Sequence, residues 1–242
     1  MFLMPLRHAK HKVRLMEIGL GCDMRYGPGA SVALWKQLLP DAELIEAEFD
    51  AACVARAKAR GHLDGLQVVT GDQGDARTLA AWKEAIGPER VDIIIDDGGH
   101  KNSQITASFD ALWPLVREGG VYVIEDMMVG RHPRFEDTGG RDVMADRIAS
   151  WIDQLLLPPS WSYWANASTA AAPSKKSRFP LPRDIQFVLC QPEACVIGKK
   201  PPNFRSRPQP PPPRAAAPGP GERPVNGHRQ HDKHGPFRHS YA

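Results

Sequence analysis

Residues Val91–Asp96 read VDIIID, three consecutive isoleucines closed by a carboxylate. A strand turns successive side chains to opposite faces, so an unbroken isoleucine run needs apolar cover on both. Strands of that kind lie in the middle of parallel sheets, with helices packed above and below. The surrounding sequence supplies the partners. Further strands are predicted over 13–18, 43–49, 66–70 and 121–125, and helices over 31–39, 51–60, 76–86, 103–116 and 143–157. The helical segments carry apolar residues at three- and four-residue spacing, as at Ile148, Trp151, Ile152 and Leu155. Pro40 and Gly87-Pro88 stop two of them. Residues 185–190 and 194–199 read as a closing antiparallel pair across a short turn. The expected fold class is α/β, a doubly wound, mostly parallel seven-stranded sheet.

Where these strands end is informative. The run 91–100 finishes in Asp96, Asp97, two glycines and His100, and the run 119–126 finishes in Glu125 and Asp126. Four acids and an imidazole thus gather at the carboxyl edge of the sheet, where open α/β sheets bind ligands. At the end of the first strand stand Glu17, Gly19 and Gly21, a loop that brings backbone N–H groups toward a ligand at a helix N-terminus. Met24 occupies the third glycine position of a dinucleotide fingerprint, and no Gly-Lys-Ser/Thr follows, which excludes a phosphate-cradling P-loop. Glu46, Glu48 and Asp50 share one side of the second strand's end. An acid there suits a ribose with two free hydroxyls, and Glu48 is the choice. Asp72, in the turn Gly71–Asp75, either meets an adenine edge or caps a helix.

Composition bounds the remaining readings. Residues 201–242 hold 11 of the 23 prolines and 7 Lys and Arg against 2 Asp and Glu, with no apolar periodicity. That stretch reads as a basic disordered tail, leaving residues 1–200 as one domain with a charge of about −2 out of the chain's +3. The folded part gives no reason to expect a nucleic-acid partner. The four cysteines, at 22, 53, 190 and 195, lack CxxC spacing and read as reduced buried thiols, with Cys190 and Cys195 on adjacent strands. No apolar run reaches the ~20 residues of a membrane span. The first sixteen residues do not make a signal peptide, so a cytoplasmic location is expected and the sequon at Asn166–Ser168 carries little weight. His228, His231 and His234 in the tail receive no function.

Taken in order, EIGLGC (17–22), YGPGAS-x-x-LW (26–35), GDQ-x-D (71–75), IIDDGGH (94–100) and GGVYVIED (119–126) resemble class I S-adenosylmethionine-dependent methyltransferases with their Rossmann-like sheet. More closely, they are similar to the metal-dependent O-methyltransferases of macrolide sugars and related secondary metabolites, a group that also takes in cephalosporin-hydroxylase-like proteins. The resemblance covers about residues 16–200. It implies S-adenosylmethionine held by Glu17, Gly19, Gly21, Glu48 and Asp72, with Asp96 near the cofactor. It implies magnesium held by Asp97 and Asp126, with Glu125 as a third ligand, and His100 as the general base acting on a small hydroxylated acceptor.

Two departures stand out. Glycine occupies position 99 where the family has serine, which would loosen the approach to His100. Only about a dozen residues precede the first strand, where relatives carry a helical cover for the cofactor. Residues 127–140 are the expected substrate-side lid, with His132 and Arg134 solvated. Trp151 is a core residue, while Trp161 and Trp164 are open between core and an aromatic acceptor pocket. Two alternatives stay open at this point: a nicotinamide oxidoreductase on the same sheet, against which Met24 argues, and a non-catalytic methyltransferase relative with a truncated cover. Homo-oligomerisation is equally open.

Overall fold

The computed structural model describes residues 4–25, 27–156 and 177–204. Trp161, Trp164, the sequon and the proline-rich tail lie outside the described residues.

Seven strands form one sheet. They are β1 (Arg14–Ile18), β2 (Glu43–Glu48), β3 (Gln67–Thr70), β4 (Val91–Asp96), β5 (Val116–Ile124), β6 (Ile185–Cys190) and β7 (Cys195–Lys199), in the spatial order β3-β2-β1-β4-β5-β7-β6. The first five are parallel and β7 runs antiparallel between β5 and β6. The expected fold class is therefore what the chain adopts. Chain order reverses at β1, which pairs Glu17 with Glu46 of β2 on one side and with Ile95 of β4 on the other. Loops leaving β1 and β4 diverge there and open a crevice at the carboxyl edge.

The isoleucine run does what its sequence requires. Ile93, Ile94 and Ile95 are all buried. Ile94 joins Met16, Ile45, Tyr122 and Ile124 in a layer with Leu79 and Trp82 of α3 (Ala76–Ile86), Ile105 and Phe109 of α4 (Asn102–Leu112), and Ile148 and Trp151 of α5 (Met144–Leu156). Ile93 and Ile95 face the opposite layer, with Leu15, Leu44, Val32 of α1 (Ala30–Leu38), and Val54 and Ala57 of α2 (Ala51–Ala59). Two acids read from the sequence begin helices: Asp50 accepts the N–H groups of Ala52 and Cys53, and Asp75 accepts that of Thr78.

Three expectations are corrected. The helix predicted over 103–116 stops at Leu112, because the Trp113–Leu115 turn around Pro114 tightens into a 3-10 turn, and β5 then starts five residues early at Val116. The cysteines are not free thiols. Cys22 is bonded to Cys53 and Cys190 to Cys195. The fold brings the loop after β1 against the first turn of α2, with the Cys22 and Cys53 Cα atoms 6.1 Å apart, within ordinary bridging distance. Cys190 and Cys195 are register partners across β6 and β7.

The amino edge of the sheet is electrically closed. Asp92 accepts the Arg14 N–H at 2.9 Å and meets His11 Nε2 at 2.8 Å and Arg117 Nε at 2.9 Å. The Arg14 guanidinium donates to Glu43 and to the carbonyls of Ile86 and Glu89. Asp92 and Glu43 there each meet a cationic side chain. The carboxyl edge is different.

Candidate active site

At the end of β1, Gly19 has φ 109°, a conformation that disfavours any side chain, and a Cβ there would stand 2.1 Å from the Asp97 carbonyl oxygen. Glycine is thus what lets the β1 loop lie against the turn that follows β4. Gly21 has φ 74° and continues the loop. Both oxygens of Glu48 shape this surface: one accepts the Leu20 N–H at 3.1 Å, the other the Asp50 N–H at 2.9 Å. Its remaining lone pairs are free for hydroxyl donors.

Glu17 accepts the Ser31 hydroxyl at 2.6 Å, and burial pushes its carboxyl up to about 7. Beside it Glu46 is fully buried with no hydrogen-bond partner for either oxygen. Burial first, then the charge of Glu17, holds Glu46 well above the ordinary carboxylate range. Asp72 accepts the Gly74 N–H at 2.8 Å and the Gln104 amide at 3.0 Å, so its geometry supports the turn reading.

Two adjacent acids at the end of β4 take opposite directions. Asp96 is buried and accepts hydrogen bonds from Gln73 (2.8 Å), Ser108 (2.5 Å) and Tyr122 (3.0 Å). Strand alternation turns its carboxylate into the layer of α3 and α4. The placement near the cofactor expected from sequence does not match that orientation. Asp97 points to the edge instead. There it converges with His100 and with Asp126 at the end of β5, their ligand atoms all within 4.8 Å of one another. His100 Nε2 lies 3.5 Å from Asp126 Oδ2 and 3.9 Å from Asp97 Oδ1. Burial, then the charges of Asp126 and Asp96, push Asp97 up to about 6. Glu125 is raised as well, by burial first and then by Asp97 and Asp126. It is not a member of the three-residue cluster.

This cluster fits a divalent cation. Two carboxylates converging with an imidazole on one spot gain from a shared positive charge, and hard oxygen donors are what magnesium takes. His100 and Asp126 have φ values of 57° and 51°, the left-handed region that non-glycine residues rarely occupy. Backbone of that kind costs about 1–3 kcal/mol per residue and persists where the surroundings over-determine it, commonly at functional sites.

Sequence reasoning missed the residues that hold this edge together. Asn102, buried at the start of α4, donates to the Gly130 carbonyl at 2.6 Å, accepts the Met144 N–H at 3.1 Å, and donates its own N–H to Phe135. It ties the segment after β5 to the helix after His100. Ser103 reinforces the tie by hydrogen bonding Asp137. Phe135 sets its ring edge-on to His100 with centroids 6.1 Å apart, while His132 and Arg134 are exposed as expected. Trp151 is a core residue, also as expected. The looseness expected at Gly99 is absent, since a Cβ there would meet Gln104 Oε1 at 2.1 Å. The Gln104 side chain fills that space. The only sequence signal for Asn102 was an amide at a helix start, two residues beyond the histidine.

The doubly wound sheet with its antiparallel closing pair is a Rossmann-like methyltransferase fold, and it places the glycine loop after β1, the carboxylate ending β2 and the acid–histidine cluster ending β4 and β5 at one edge. Residues 20–127 match the family described as a methyltransferase domain. The chain is 37% identical over 132 residues to a mycinamicin VI 2''-O-methyltransferase of Micromonospora griseorubida, covering 53% of this chain and 30% of that protein. It is 32% identical over 154 residues to a demethylmacrocin O-methyltransferase of Streptomyces fradiae, covering 61% of this chain and 37% of that one. The chain thus spans about a third of the length of these relatives. Among solved structures, the MycE methyltransferase of mycinamycin biosynthesis in complex with Mg and S-adenosylhomocysteine superposes with a TM-score of 0.61 at 26% identity, over 86% of this chain and 50% of that chain. Both curated relatives are named O-methyltransferases, and none of these comparisons favours the nicotinamide alternative.

Among the described residues, no helix is long and apolar enough to cross a membrane.

Proposed function

We propose that this domain, residues 1–200, transfers the methyl group of S-adenosylmethionine to a hydroxyl of a small molecule. The observation that carries the reading is the convergence of Asp97, His100 and Asp126 beside the Gly19 loop. The backbone of that loop approaches the cofactor without side-chain obstruction, and Glu48 receives its ribose hydroxyls. Asp97 and Asp126 would hold magnesium, with Glu125 outside the three-residue cluster. Magnesium, when bound, supplies positive charge that eases ionisation of an acceptor hydroxyl. His100 takes the hydroxyl proton on Nε2, which lies 3.5 Å from Asp126 Oδ2. The acceptor is a hydroxylated small molecule, as the names of the mycinamicin VI and demethylmacrocin O-methyltransferases say of those relatives.

Calorimetric titration of S-adenosylmethionine into the full chain, with magnesium and with chelator, tests the cofactor half. Binding is expected in both conditions; none in either would end the reading. For the chemical half, Asp97→Ala and His100→Ala are expected to keep cofactor affinity and to stop release of S-adenosylhomocysteine when glycosylated acceptors are supplied. Full turnover in either variant would refute the assigned roles.

A further inference from the structure

Gln73 lies in the turn between β3 and α3 and is buried. Its amide joins three elements. Nε2 donates to Asp96 Oδ1 at 2.8 Å and to Ser108 Oγ at 3.3 Å, while Oε1 accepts the Gly99 N–H at 2.9 Å. Ser108 and Tyr122 also donate to that carboxylate, both to Oδ2, so Gln73 is the side chain that serves Oδ1. The bond to Gly99 is the distinctive one, because it reaches out of the core into the turn carrying Asp97 and His100.

That turn is gripped from two sides. A Cβ on Gly98 would fall 1.9 Å from Gln73 Oε1, so the backbone lies directly on the Gln73 amide. On the other side the Asp97 N–H donates to the Ile18 carbonyl at 2.9 Å, and the Asp97 carbonyl presses on Gly19. The turn then ends in the left-handed backbone of His100, which would relax unless held.

We infer that Gln73 is a positioning residue: through the Gly99 N–H it fixes the Asp97–His100 turn so that the Asp97 carboxylate and the His100 imidazole meet Asp126. It touches neither cofactor nor acceptor. The inference rests on the proposed divalent-cation site, and it adds that the site's geometry is set from the third strand's turn, outside every ligand.

The test uses Mn²⁺ as probe, its free signal followed by electron paramagnetic resonance on the full chain, with the His100 ring nitrogens followed by NMR in metal-free protein. Gln73→Met keeps length and bulk but removes both hydrogen-bonding ends. It is expected to weaken Mn²⁺ binding about 10-fold or more, the usual effect of losing a residue that orients a ligand, and to shift the His100 resonances. Ser108→Ala disturbs the same buried network but leaves the Gln73–Gly99 bond. It is expected to lower the melting temperature while keeping Mn²⁺ affinity. Gln73→Glu retains an oxygen for the Gly99 N–H and is expected to recover most of the affinity lost in Gln73→Met. Wild-type affinity and unshifted His100 resonances in Gln73→Met would overturn the inference, as would an equal loss in Ser108→Ala or no recovery in Gln73→Glu. If wild-type protein and Asp97→Ala bind Mn²⁺ alike, the cation site itself is refuted and the inference falls with it. That outcome is distinct from Mn²⁺ binding that depends on Asp97 and ignores Gln73.

Discussion

Glu17 illustrates how burial at this edge couples to pH. Its carboxyl has an ordinary value of 4.5 and is pushed up to about 7 in the fold. The folded chain therefore holds that proton more tightly than the unfolded one. Its contribution to stability is complete below 4.5 and is lost as pH rises through 7. Metal-free protein is expected to melt at progressively lower temperature across that window, and Glu17→Gln should flatten this part of the profile in calorimetric scans. An unchanged slope in the variant would remove Glu17 as its source. Gly19→Ala belongs to the same scale. It forces a side chain into a φ of 109° and against the Asp97 carbonyl, costing about 1–3 kcal/mol in backbone strain alone. Its expected mark in denaturant titration is a lower midpoint, joined by weaker S-adenosylmethionine binding. Of the site residues, Asp97, His100 and Asp126 were readable because each ends an apolar run. The inward turn of Asp96 was not readable, because adjacent acids in sequence look alike until the strand's alternation is phased. Gln73 and Asn102 were unreadable, since an amide's partners are chosen by tertiary contacts that leave no local pattern.

Among elements, the parallel strands were legible from their apolar runs, and the boundaries that shifted did so at Pro114. Ile94 is fully buried in the central strand, so Ile94→Ala is expected to cost about 2–5 kcal/mol in chemical denaturation. A cost under 1 kcal/mol would mean the layer of α3, α4 and α5 can collapse onto the gap. The Cys22–Cys53 bridge could not be read, because spacing does not show that the β1 loop touches α2, while Cys190 and Cys195 were read onto adjacent strands and only their bonding was missed. Cys22 and Cys53 are 31 residues apart, a loop whose closure contributes about 3–4 kcal/mol in the chain-entropy account. Wild-type protein is expected to melt lower in reductant than without it. The Cys22→Ser, Cys53→Ser double variant should lose less than wild type on adding reductant, the remaining loss belonging to the smaller hairpin bridge. Equal melting of wild type in the two conditions would show that this bridge contributes nothing.

For the molecule as a whole, the contrast is between a neutralised amino edge and an acidic carboxyl edge. Excess acid of this kind is relieved by a cation that binds the folded chain alone, which raises stability by about 2.7 kcal/mol at a hundred times the dissociation constant. Magnesium is expected to raise the melting temperature, with the increment cancelled by chelator or by Asp97→Ala. The doubly wound sheet, the crevice and the side of it that carries the acids follow from strand and helix periodicity. The loop-to-helix ties that shape the crevice wall do not.

The reversal of strand order at β1 also separates two kinds of inheritance. Everything proposed to grip the cofactor leaves β1 and β2, while the walls facing the acceptor leave β4 and β5. On the proposed reading residues 127–140 could therefore diverge without retuning the cofactor pocket, and a domain of this plan would acquire new acceptors by exchanging that segment. The unit of exchange is larger than the loop, however. Asn102 and Ser103 clasp it from the head of α4, so a graft that leaves those two residues behind would arrive without its hinge.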